Sequence, residues 1–301
     1  FVNQVHSFNK PVRFWASPDS KSAWKAFYEL GVDYINTDQP NLAHSYLSTL
    51  DRNIYRTSQP YEVYRPTFES DGKEAPLHTV LLLIGDGNGL AQLSAGLFAN
   101  GGELNITQLR ALGLVKTQAA DDFTTDSAAG ATAFSSGKKT NNRAIGVDPK
   151  GDSLANLPEV LESYGFVSGI VTTDQVTGAT PAAFFAHHPE RDDSDQLAAW
   201  LPKSKLSLFI GAGKSNFTRF GTDRIQELKS AGFDLVSSLE ELGGNTSSRV
   251  GYFSSEGSQV SMLHGRGDFL RQSALQSLRF LSQKNAPIFL MLESAMIDSG
   301  G

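Results

Sequence analysis

The sequence predicts an α/β fold with a mostly parallel central sheet and helices on both faces. Three observations predict it. Short continuous apolar runs, cut by glycine or polar residues, recur along residues 76–301, as expected of strands buried in a parallel sheet. Stretches with helical spacing separate them, the alternation of a βα chain. Acidic residues stand just past the first and last of these runs, where open α/β sheets bind ligands.

The chain of 301 residues is 40% hydrophobic and 19% charged, an ordinary composition for a globular protein with ample core. A net charge of −6 argues against nucleic acid or an anionic membrane as main partner. The absence of cysteine excludes disulfides, thiolate metal sites and thiol nucleophiles. No apolar run approaches a membrane span. The first residues, F-V-N-Q-V-H, show neither an initiator methionine nor a signal-like charged and apolar pair of regions, and read as the start of a mature or trimmed piece.

Taken in order, residues 1–52 read as strand, helix, strand, helix, at 11–16, 20–30, 32–38 and 41–50. Residues 53–75 turn polar, with several prolines and tyrosines, and read as a linker packed on a neighbour. Strands then follow at 80–84, 165–172, 206–211, 250–253 and 287–292. Helices are expected at 88–99, 126–136, 154–164, 223–231 and 268–283.

The stretch F-T-T-D-S-A-A-G-A-T-A-F-S-S-G, residues 123–137, places Ser127 at a helix N-terminus. Exposed amides and the helix dipole there favour an anion and ease ionisation of a hydroxyl. The same Asp126-Ser127 pair also reads as an ordinary helix cap. Asp86 follows the first long apolar run within G-D-G-N-G, and is either a metal ligand or part of a tight turn. Glu293 and Asp298 repeat this placement after the last run. Thr180, held extended before Pro181, offers a hard oxygen. Arg191 offers a planar fork for two phosphate oxygens, or is a surface arginine. His187 and His188 are adjacent, so they point apart and do not share one ion.

The four segments G-D-G-N-G, T-D-S-A-A-G-A-T-A-F-S-S-G-K-K-T, G-A-T-P-A-A with a following arginine, and L-E-S-A-M-I-D resemble, in order and spacing, the alkaline phosphatases. Residues 76–301 match about the first two thirds of that fold. The resemblance implies hydrolysis of phosphate monoesters through a phosphoserine, with two zinc ions and one magnesium ion. It makes Ser127 the nucleophile, Asp126 the residue that steadies the arginine, and Arg191 the clamp on two phosphate oxygens. Asp86 would bridge the second zinc and the magnesium, Thr180 and Glu293 would complete the magnesium ligands, and Asp298 would hold the first zinc.

Two departures accompany it. The position two before Thr180, an acid or histidine in the family, is Gly178 here. The family's zinc histidines fall beyond Gly301, so the chain as given is expected to bind zinc weakly and to be nearly inactive. Ser127 with Arg191 favours monoesters over the diesters and sulfates handled elsewhere in the superfamily. A phosphodiesterase of that superfamily and a noncatalytic scaffold are the alternatives. R-F-W-A-S-P-D and G-V-D-Y-I-N-T-D-Q-P resemble the last two βα units of a glycerophosphodiesterase or phosphatidylinositol phospholipase barrel, a remnant in residues 1–52. Family precedent further implies a homodimer and a periplasmic or secreted location.

Overall fold

The computed structural model describes residues 1–50, 57–65, 78–219, 221 and 223–297. They fall into two compact units, Phe1–Pro66 with Ser94–Leu109, and Thr67–Leu93 with Arg110–Gly301.

The first unit holds helices Val2–His6, Lys21–Glu29 and Pro40–Leu47, and the fully buried Trp24 of the second meets Tyr46 of the third. Ser20 caps the second of them by accepting the Ala23 amide at 3.2 Å. The two strands expected at 11–16 and 32–38 do not form. They are reduced to one parallel bridge, Arg13 with Tyr34. Two lone strands are marginal in water, and here a side chain takes over the ladder: Asp33 Oδ2 accepts the Val12 amide at 2.6 Å. Of the expected linker, 53–56 and 66–75 lie outside the described residues. The described part does pack, through main-chain amides rather than aromatic burial. Tyr61 and Tyr64 donate their amides to Asn100 Oδ1 and Asn105 Oδ1 at 3.0 and 2.9 Å, while both rings stay exposed.

The second unit is built on six strands: β1 Thr79–Gly85, β2 Val167–Gln175, β3 Leu206–Ala212, β4 Phe233–Val236, β5 Arg249–Phe253 and β6 Ile288–Ser294. Their order is β1-β6-β2-β3-β5-β4 and every pairing is parallel. Five were expected from apolar runs. β4 was not, because F-D-L-V is a four-residue edge strand carrying an acid. The expected helices form over Leu90–Ala99, Ser127–Ser136, Leu157–Glu162, Arg224–Ser230 and Phe269–Ser282. Ser194–Trp200 and Leu239–Gly244 are additional.

Successive strand residues face opposite sides of the sheet, and each side has its own core. Ile170, Phe209, Phe289 and Met291 pack with Ala128, Phe184 and Leu197 on one side. Val171, Leu208, Ile210 and Leu290 pack with Leu242, Phe280 and Leu281 on the other. Helices therefore cover both faces, as the sequence predicts.

Candidate active site

The site grows from the carboxyl ends of three adjacent strands. Register sets Glu293 of β6 between Ile84 of β1 and Thr172 of β2. The chain leaving β1 carries Asp86, whose amide donates to the Ser294 carbonyl at 3.0 Å. A helix N-terminus is brought against these strand ends. Asp126 is its cap, extended at φ −97° and ψ 175°, and Oδ1 accepts the Ala129 amide at 2.9 Å. The buried small residues Ala128, Ala129 and Ala131 let this helix lie close to its neighbours.

Ser127 is thus the first residue of the helix, one place past the cap. Its hydroxyl donates to Asp86 Oδ2 at 2.9 Å. Arg191 Nη1 donates to Asp126 Oδ2 at 3.2 Å. Asp86, Asp126, Ser127, Thr180 and Arg191 line one cleft of about 630 Å³, with Lys116 and Lys139 on its wall. The cleft therefore joins a polar hydroxyl, a guanidinium and two further cations around a helix N-terminus. That is a setting for a dianionic group.

Glu293 is 1% exposed. Its Oε2 accepts the Thr172 hydroxyl at 2.5 Å, with the Thr180 hydroxyl nearby. Burial pushes its pKa up to about 7; these hydroxyls oppose the rise, and Asp174 and Asp86 add to it. Asp174 is also raised, first by burial and then by Asp86, against the Gln175 amide and Arg191. Carboxylates buried close to one another in this way call for a cation. The oxygens of Asp86, Thr180 and Glu293 are the hard donors that magnesium takes. Among the described residues, however, no group of three or more His, Asp or Glu side chains is arranged to hold an ion. Asp298 lies outside the described residues, and the adjacent pair His187 and His188 bonds within its own segment, to the Gly146 carbonyl and to Glu159. His187 bonds through Nδ1 to the Gly146 carbonyl at 2.7 Å and through Nε2 to Glu159 at 3.0 Å. His188 Nδ1 engages the Glu190 backbone.

Three contributors escaped the sequence reading. Asn142 Oδ1 accepts the Asp126 amide at 2.8 Å. Arg143 donates its amide to Asp126 Oδ2 at 3.0 Å. Asp174 stands where Gly178 leaves room: a Cβ at 178 would lie 2.4 Å from Asp174 Oδ2. The signal for Asp174 was available, since it ends the run V-T-T-D at a strand tip as Asp86 does.

Fold and site together define a parallel α/β protein with a serine at a helix N-terminus facing a braced arginine. Residues 77–301 match the alkaline phosphatase family, and the chain belongs to it. Residues 11–41 match the glycerophosphoryl diester phosphodiesterase family. Alkaline phosphatase 4 of Bacillus subtilis is 29% identical over 269 residues, covering 84% of this chain and 58% of that protein. Alkaline phosphatase 3 of the same organism is 30% identical over 246 residues, covering 76% and 53%. The chain thus spans between half and three fifths of these relatives. The structure of alkaline phosphatase from the Antarctic bacterium TAB5 superposes with a TM-score of 0.70 at 34% identity, over 75% of this chain and 68% of that one. A histidine-to-glutamate variant of that enzyme has been solved with magnesium bound in its M3 site.

Proposed function

We propose that the protein hydrolyses phosphate monoesters through a phosphoserine on Ser127. One observation carries this reading: the Ser127 hydroxyl, hydrogen-bonded to Asp86, shares a cleft with an Arg191 already braced on Asp126. Arg191 binds two nonbridging oxygens of the ester with the planar geometry that a guanidinium fork offers. The helix N-terminus adds its amides to the same charge. Ser127 Oγ attacks phosphorus as the ester P–O bond breaks; the hydroxyl proton is lost to solvent and the departing oxygen takes one from solvent, so the alcohol leaves. Water then cleaves the serine–phosphate bond, which releases inorganic phosphate and restores the hydroxyl.

Asp86, Thr180 and Glu293 would hold magnesium, with Asp174 beside them. Bound divalent cations supply Lewis-acid stabilisation of the serine oxygen and the leaving oxygen. Two zinc ions belong to the family reading, with Asp86, Ser127 and Asp298 as their donors. The same reading extends to a homodimer acting outside the cytoplasm.

Single-turnover labelling tests the proposal. With zinc and magnesium supplied and the reaction quenched in acid, phosphate should be recovered on Ser127 and be absent from Ser127→Ala. Turnover, where measurable, should fall about a thousandfold or more in that variant. Failure to trap phosphate in the metal-loaded protein would favour the noncatalytic reading. Faster turnover of a diester than of a monoester would favour the diesterase.

A further inference from the structure

We infer that Arg143 is a positioning residue for Arg191, one that holds the phosphate clamp open for its ligand. The inference rests on the proposed role of Arg191 and adds a second arginine to it.

Arg143 adopts φ +71°, a left-handed conformation uncommon for a long side chain and one that surrounding structure must maintain. In this conformation its two ends work on the same object. The main-chain amide donates to Asp126 Oδ2 at 3.0 Å, the oxygen that also receives Arg191. The guanidinium forks onto the two acids that flank Arg191 in sequence. Nε reaches Glu190 Oε2 at 2.9 Å, Nη2 reaches Glu190 Oε1 at 2.5 Å, and Nη2 also donates to Asp192. These acids hold the Arg143 charge firmly, raising its pKa above the already high arginine value. Paired main-chain hydrogen bonds between Ile145 and His188, both at 2.8 Å, keep the two segments side by side.

Two consequences follow for Arg191. The residues on either side of it are anchored, so its backbone enters the cleft from a fixed point. Both neighbouring carboxylates are also occupied. Unpaired, Glu190 and Asp192 would be intramolecular anions next to a guanidinium whose task is to bind an external one. Arg143 is half exposed, and exposed ion pairs add little to stability. Its contribution should therefore appear in ligand binding rather than in folding.

Isothermal titration with inorganic phosphate, in magnesium buffer, tests this in the wild type, Arg143→Ala, Arg143→Lys, Arg191→Ala and the double alanine variant. Arg143→Ala should weaken phosphate about tenfold, since small misplacements of a clamp are costly, with an unchanged melting temperature. Arg143→Lys, which keeps charge but loses the fork, should fall between wild type and alanine. In the Arg191→Ala background, Arg143→Ala should add nothing. Wild-type affinity in Arg143→Ala, or an equal loss with and without Arg191, would overturn the inference while the Arg191 effect stands. Equal affinity in wild type and Arg191→Ala, including no binding in either, would overturn the proposed function and this inference together.

Discussion

Asp126 receives three hydrogen bonds on one carboxylate, from the Ala129 amide, the Arg143 amide and the Arg191 guanidinium. The cap and the arginine brace are thus one residue, and Ser127 next to it carries neither duty. This separates the two positions experimentally. Ser127→Ala puts a good helix former at the first helical position and should leave unfolding free energy within about 0.5 kcal/mol of wild type. Asp126→Ala removes a cap and should cost about 1 kcal/mol or more. Urea denaturation of both variants checks the pair. A comparable loss in Ser127→Ala would mean that the serine is structural after all.

The segment around Gly146 behaves as a unit at the next scale up. Gly146 lies at φ +58°, and a Cβ there would sit 2.2 Å from the Ala186 carbonyl, so the two backbones touch. His187 locks this approach, its two ring nitrogens facing the Gly146 carbonyl and Glu159. Both partners are acceptors, so the doubly protonated ring satisfies both. Burial opposes the charge on His187, but the bonds to Glu159 and Gly146 outweigh it and raise its pKa above 6.5. Burial likewise opposes the charge on Glu159, yet His187 and the Asn156 amide bring it below 4.5. The histidine's contribution is then complete below about pH 6.5 and lost as pH rises through its folded value. The glutamate's is complete above about pH 4.5 and lost as pH falls through its own. Stability should fall as pH rises from 6 to 9, and His187→Gln should flatten that slope. Thermal melts across that range, on wild type and variant, are the measurement, and parallel slopes would count against it.

These two cases also show what the sequence could and could not disclose. Asp86 and Ser127 stand where apolar runs and cap residues point, just past β1 and at a helix N-terminus. Thr180, by contrast, lies inside the short helix Ala179–Ala182 instead of an extended segment, and Arg191 lies in the turn before Ser194. Glu293 was legible for the same reason as Asp86, although its hydroxyl partner Thr172 was not. Arg143 left no trace, because nothing local foretells a left-handed arginine that pairs with residues nearly fifty positions away. The strands expected in residues 1–52 failed for a related reason. Alternation reports that a segment can be a strand, while only further partners make it one.

For the second unit as a whole, the sheet order sets how the site is assembled. β2 and β3 pair residues roughly forty apart, as Ser168 with Leu206, whereas β1 meets β6 across about two hundred, as Thr79 with Ile288. Closing so long a span before any contact rewards it is entropically expensive and slow. During refolding, β6 amides should therefore gain hydrogen-exchange protection after those of β2 and β3. Pulse-labelling would show the order, and simultaneous protection would contradict it. Glu293 travels on β6 and Asp86 follows β1, so the late pairing is also the one that brings the carboxylates together. An early intermediate would hold most of its helices and half its sheet while Ser127 still lacked the acid that takes its hydrogen bond. The hydrogen bond between Ser127 and Asp86 is thereby tied to completion of the fold, and a half-folded chain carries a capped helix whose serine has no acid beside it.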